Sequence, residues 1–137
     1  MTTSEYRLGI DIGSTTVKIA IIDKDNNILF SDYERHFANI QETLAGLLVK
    51  AKEKLGAIKV HPVITGSGGL TLASHLEVPF TQEVVAVSTA LSDYAPQTDV
   101  AIELGGEDAK IIYFTNGIDL NHCTLYIAPF TIDAYRA

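Results

Sequence analysis

Cysteine occurs once, tryptophan not at all, and no apolar run approaches the roughly 20 residues that span a bilayer. The single thiol excludes an internal disulfide framework and points to a reducing compartment. Positive charge is scarce as well: 10 basic side chains stand against 17 acidic ones, a formal net charge of −7. That balance argues against a nucleic-acid groove or an anionic membrane as partner, because both require a positive field. No Pro/Ser-rich linker, low-complexity tract or charge block divides the 137 residues. The start, Met1-Thr-Thr-Ser-Glu-Tyr-Arg, is polar and lacks the apolar core of a secretory leader, so a cytoplasmic protein is expected. Apolar side chains, at 47%, are plentiful enough for a core in one domain, or in one lobe and part of another.

Patterning predicts three antiparallel strands, over 6–12, 16–23 and 27–37, with Asp23-Lys-Asp-Asn-Asn supplying turn chemistry between the last two. Asn39 reads as a helix N-cap. Ile40, Leu44, Leu47, Leu48, Ala51 and Leu55 follow at helical spacing, and Gly56 ends the run. Val60 to Thr65 reads as a buried strand leading into Gly66-Ser-Gly-Gly. Short helices are expected over Leu70–Leu76 and Val84–Tyr94, and strands over Asp99–Leu104 and Ala109–Phe114. Cys123 to Ala137 is apolar enough to pack, but its periodicity assigns it no element. The order implies a mixed α/β layer, with any domain boundary at Ala95-Pro-Gln-Thr.

The most informative feature is an internal repeat at an offset of 92 residues. Gly9-Ile-Asp-Ile-Gly-Ser-Thr-Thr-Val-Lys-Ile matches Ala101-Ile-Glu-Leu-Gly-Gly-Glu-Asp-Ala-Lys-Ile, so that Asp11 aligns with Glu103, Gly13 with Gly105 and Lys18 with Lys110. Each copy is a strand carrying an acid, a tight glycine turn, and a second strand carrying a lysine. Glycine permits close backbone approach to a bulky anion, and successive N–H groups around such a turn form an anion nest. Ser14, Thr15 and Thr16 add hydroxyl donors, and Lys18 a compact positive charge. Asp11, in an apolar strand just before the turn, is costly to bury unpaired, and a hydrated Mg²⁺ would be a suitable partner. Glu103 occupies the equivalent place, so the two acids are expected to face each other across a nucleotide's phosphates. Two unrelated hairpins with similar turns are the alternative.

Asp11-Ile-Gly-Ser-Thr-Thr-Val-Lys resembles the first phosphate motif of the actin, sugar kinase and heat-shock chaperone ATPase superfamily, and Glu103-Leu-Gly-Gly-Glu-Asp-Ala-Lys its second. The wording is most similar to the activators of 2-hydroxyacyl-CoA dehydratases and the related benzoyl-CoA reductase ATPase components. The order of Gly66-Ser-Gly-Gly, Gln82-Glu-Val-Val-Ala and Pro96-Gln-Thr-Asp-Val-Ala is also similar to that of the large, multidomain members. The resemblance implies an α/β, ribonuclease H-like (actin-like ATPase) lobe with a mixed five-stranded sheet and flanking helices over residues 1–97. Residues 98–137 would then be the opening hairpin and truncated start of a second lobe. It further implies a homodimer that hydrolyses MgATP, carries a [4Fe–4S] cluster between subunits, and drives an electron to an acyl-CoA dehydratase or reductase partner. Asp11 and Glu103 would bracket Mg²⁺. Gly13, Ser14, Thr15, Thr16 and Lys18, with Gly105, Gly106 and Lys110, would hold the phosphates, and Glu107 or Asp108 would orient the attacking water. A chain so truncated is expected to turn over ATP poorly by itself.

Departures from the activator pattern are specific. Glu103 replaces the usual Asp and Glu107 the usual Gln, and no Gly-Thr-Gly turn follows Asn121-His-Cys-Thr-Leu. Cys123 is a candidate first cluster ligand, with an ordinary buried or free thiol as the simpler alternative. His36, His61, His75 and His122 lack ligand spacing. Gly66-Ser-Gly-Gly lacks the Gly-Lys-Ser/Thr ending of a P-loop and reads as a structural turn or a hinge-side loop. Glu83 could reach the site or cap a helix. Two other functions stay open: a sugar or small-molecule kinase lobe of the same superfamily, and a non-catalytic scaffold or interaction module.

Overall fold

The computed structural model describes residues 5–106, 108–115, 117, 118 and 123–129; in the last stretch it describes the backbone and, of the side chains, only Leu125. Contacts divide the chain into two compact units, Met1–Thr81 and Gln82–Ala137. The composition-based boundary at Ala95–Thr98 lies at the far end of a helix that belongs, by contacts, with the second unit.

The first unit holds β1 (Tyr6–Ile12), β2 (Thr16–Ile22), β3 (Ile28–Arg35), α1 (Ile40–Leu55), β4 (Val60–Thr65) and α2 (Gly69–Leu76). The sheet order is β3-β2-β1-β4, with the first three strands antiparallel and β4 parallel to β1. Strand alternation puts Leu8, Ile10 and Ile12, Val17, Ile19 and Ile21, and Ile64 on one face, where Leu44, Leu47 and Ala51 of α1 and Leu72 and Ala73 of α2 complete the core. Asp11 and Lys18 fall on the opposite face.

Among the described residues, the expected five-stranded sheet is corrected to four strands. Phe80 makes a lone parallel bridge to Ile64, flanked by hydrogen bonds from Ile64 N–H to Pro79 O and from Thr81 N–H to Ile64 O, both 2.9 Å. Pro79 has no N–H to extend the ladder and a helix begins at Glu83, so a fifth strand has no room to grow.

Local chemistry explains the connections. Asp23 Oδ1 accepts from the N–H groups of Asp25 and Asn27, both at 2.9 Å, and Asn26 takes the left-handed conformation with φ 63°. Asn39 occupies the N-cap position of α1, yet its side chain makes no capping bond; Gly56, with φ 77°, is the C-cap.

The second unit holds α3 (Glu83–Tyr94), β5 (Val100–Leu104), β6 (Asp108–Phe114) and β7 (Cys123–Pro129), the strands forming an antiparallel sheet in that order. The hairpin expected from the second motif therefore gains a third strand, from a stretch whose periodicity assigned it none. Among the described residues, no helix is long and apolar enough to cross a membrane.

Candidate functional site

The repeat is a repeat of structure. In the first unit Asp11 pairs with Lys18 and Ile12 with Val17; in the second Glu103 pairs with Lys110 and Leu104 with Ala109, the same register. Each turn closes identically: Gly13 N–H donates to Thr16 O at 2.9 Å, and Gly105 N–H to Asp108 O at 2.8 Å. Both glycines sit tightly, since a Cβ would lie 3.4 Å from Thr16 O at Gly13 and 3.1 Å from Asp108 Oδ1 at Gly105.

Asp11 stands at the end of β1 with its two oxygens in different surroundings. Oδ2 is 3.5 Å from Lys18 Nζ, whereas Oδ1 is shielded from solvent and has no hydrogen-bond partner. Its parallel-strand neighbour on β4 is Thr65, whose Oγ1 is likewise shielded and unpartnered. Gly66 then turns the chain with φ 99°; a Cβ there would meet Ile12 O at 2.3 Å and Asp11 Oδ1 at 2.5 Å. Gly68 N–H donates to Ile12 O at 3.0 Å, seating the Gly66-Ser-Gly-Gly loop on the end of β1. The loop is thus a structural turn by construction, and it forms a wall beside Asp11.

Ser14 and Thr16 are half-buried and Thr15 exposed in the turn itself. His36, just beyond β3, hydrogen-bonds the carbonyls of both Gly13 and Thr15. Neither His36 nor Thr65 stood out in the sequence. Threonine is ordinary in a strand, and a lone histidine 23 residues from its partner carries no spacing signal.

In the second unit Lys110 is turned onto carboxylates: Glu83 Oε2 at 2.6 Å and Asp108 Oδ1 at 3.3 Å. Burial pushes its ammonium down, but the hydrogen bond and charge of Glu83, the charge of Glu103 and the hydrogen bond of Asp108 outweigh it. Together they hold Lys110 above the ordinary lysine value. Glu83, read from sequence as either a site residue or a cap, is the main ion-pair partner of this lysine. Gly106 is exposed beside Gly105. Glu107, His122 and the side chain of Cys123 lie outside the described residues.

Mg²⁺ fits the donor set in the first unit. That ion takes few protein carboxylates and keeps several waters, and Asp11, a partly exposed carboxylate at the end of β1 whose ion pair with Lys18 is long at 3.5 Å, is a group of that kind. Among the described residues, no three His, Cys, Asp or Glu side chains gather into a metal-binding group. A [4Fe–4S] cluster takes four thiolates, and these 137 residues supply one candidate, Cys123.

No protein-family model matches the chain. An uncharacterized protein from Methanocaldococcus jannaschii is 30% identical over 106 residues, 77% of this chain and 42% of that protein. Component A of the (R)-2-hydroxyglutaryl-CoA dehydratase of Acidaminococcus fermentans superposes with a TM-score of 0.75 at 22% identity, covering 91% of this chain and 48% of the other. The activator of the 2-hydroxyisocaproyl-CoA dehydratase from Clostridium difficile, solved with bound ADPNP, gives 0.67 at 24% identity, covering 90% and 46%. The chain spans less than half the length of each of these proteins. The likeness shows the fold: an α/β, ribonuclease H-like lobe, shared with part of each of these two proteins.

Proposed function

We propose that this chain is the MgATP-binding portion of an activase that couples ATP hydrolysis to electron delivery to a 2-hydroxyacyl-CoA dehydratase-type enzyme. The observation that carries the reading is the Asp11 carboxylate at the end of β1, beside the tight Gly13–Thr16 turn, in a fold shared with an activator solved with a nucleotide analogue.

In this reading the Gly13–Thr16 turn receives phosphate oxygens on backbone N–H groups and the Ser14 and Thr15 hydroxyls. Asp11 would hold the hydrated cation, and Lys18, 3.5 Å from Asp11 Oδ2, lies beside it. Mg²⁺, when bound, supplies neutralisation of the phosphate charge. Glu103, Gly105 and Gly106 are assigned to nucleotide binding in the second motif, with Asp108 or Glu107 to orient the attacking water. Lys110 belongs to this half by holding Asp108 and Glu83 in place. A homodimer, a dehydratase partner and a [4Fe–4S] cluster complete the proposal for the whole protein, with Cys123 as one candidate cluster ligand.

Isothermal titration of the chain with ATP and ADP, with and without Mg²⁺, tests the reading. Saturable binding that requires Mg²⁺ and is lost in Asp11→Ala is the expected result. Flat titrations at high protein concentration would overturn it and leave the scaffold reading in its place.

A further inference from the structure

His36 is buried, 8% exposed, and both ring nitrogens are engaged. The Ala38 N–H donates to Nδ1 at 3.0 Å, and Nε2 lies 3.1 Å from Gly13 O. These partners settle the tautomer. A backbone N–H can only donate, so Nδ1 is bare; a carbonyl can only accept, so the proton is on Nε2 and the ring is neutral. The main chain of the same residue adds a third bond, from His36 N–H to Thr15 O at 3.0 Å. One residue thus holds two of the four carbonyls in the turn.

The segment after it is shaped to aim the ring. Phe37 and Ala38 both sit in the left-handed region, with φ of 45° and 67°, which L-residues rarely enter in succession. That excursion turns the Ala38 N–H back onto the ring two residues earlier. It also places Asn39 N–H on His36 O at 2.6 Å, just before α1 begins. The ring is therefore fixed from behind by its own chain and reaches across to β1's turn.

The consequence for the turn follows from peptide geometry. In a planar trans peptide the carbonyl of one residue and the N–H of the next point in opposite directions. With the Gly13 carbonyl drawn onto Nε2–H, the Ser14 N–H must face away from the buried ring. We propose that His36 is a positioning residue of the phosphate turn: its neutral Nε2–H tautomer holds the Gly13 carbonyl inward so that the Ser14 amide is presented to a nucleotide phosphate. The inference rests on reading Gly13–Thr16 as a nucleotide cradle.

Two substitutions separate this role from ordinary loop capping. In His36→Asn the side-chain oxygen can still accept from Ala38 N–H, but nothing reaches Gly13 O. In His36→Gln an amide N–H replaces Nε2–H at Gly13 O and the Ala38 contact is given up. MgADP affinity by calorimetry, thermal unfolding, and the amide spectrum with MgADP added are measured for both and for the wild type. His36→Gln is expected to bind within about threefold of wild type, and His36→Asn about tenfold more weakly. The Ser14 amide resonance is expected to shift on MgADP addition in wild type and His36→Gln but not in His36→Asn. Independently, ring ¹⁵N shifts of the wild type should show a protonated Nε2 and a bare Nδ1. Wild-type affinity in His36→Asn, equal losses in both variants, or a proton on Nδ1 would each overturn the proposal while leaving the nucleotide reading intact. Absence of MgADP binding by the wild type would overturn both.

Discussion

Asp11 contributes little to stability, and the proposed cation site gives its placement a reason. Its contact with Lys18 is half-exposed and long at 3.5 Å, a kind of pair that contributes little to folding. Its other oxygen is shielded without a partner, which costs folding energy. Thr65 Oγ1 shares that situation, which gives Thr65→Val an expectation of opposite signs. Removing an orphaned hydroxyl should leave stability unchanged or raise it by up to about 1 kcal/mol in urea denaturation, while Mg²⁺-dependent nucleotide affinity falls. Gly66 offers a purely steric test beside the same carboxylate. Ala there brings a Cβ to 2.3 Å from a backbone oxygen at φ 99°, whereas Ala at Gly56, with φ 77°, meets nothing within 4 Å. Chemical denaturation should show a loss of roughly 2–3 kcal/mol for Gly66→Ala and only about 1 kcal/mol for Gly56→Ala. An acid inside an apolar strand marks Asp11 in the sequence itself. Thr65 and His36 acquire their roles only when β4 lies beside β1 and the end of β3 reaches the Gly13 turn, which spacing along the chain does not encode.

At the scale of elements, the 92-residue repeat was the most legible feature because a hairpin's register follows from its turn and its alternation, both local properties. Matching turns therefore gave matching pairs, Asp11 with Lys18 and Glu103 with Lys110. The two lysines nevertheless diverge. Lys18 stays largely in solvent, while Lys110 is nearly enclosed by carboxylates, one of them Glu83 at the start of α3. That difference depends on Glu83 at the start of α3, which pairs with Lys110. It also yields a pH dependence. A lysine held above its unfolded value of 10.5 adds stability that is fully present below that value and is lost as pH rises through the higher folded value. The stability difference between wild type and Lys110→Met should therefore be constant up to about pH 10 and shrink above it, as thermal unfolding followed by circular dichroism would show. A Glu83→Gln background should reduce the difference at every pH.

Among the described residues, buried apolar side chains divide unequally between the two units. Every member of the core cluster, from Leu8 to Ala73, lies within Met1–Thr81, where one sheet face is covered by two helices. In the second unit Ile112 and Phe114 are the buried hydrophobic residues among those described, and Ile102 and Leu104 are 64% and 72% exposed on β5. Turn composition at Ala95-Pro-Gln-Thr marked the end of a helix correctly, but it could not say which sheet that helix accompanies; the Glu83–Lys110 pair ties α3 to the second sheet. The strand count erred for a related reason, since whether a strand joins a neighbour depends on N–H groups that Pro79 lacks and on a helix start only four residues later. The imbalance leads to a direct expectation for the two halves made separately. Residues 1–81 bury a contiguous core and leave no strand of their sheet behind, so they should unfold cooperatively and give a dispersed amide spectrum. Residues 82–137 must order a three-stranded sheet and a helix around a much smaller buried set, too little to offset the chain entropy of some 55 residues, and should be unfolded or aggregated alone. If the second fragment instead melted cooperatively as a monomer, its apolar face would have to be covered by residues outside those described here, and the assignment of the folding core to the first unit would fail.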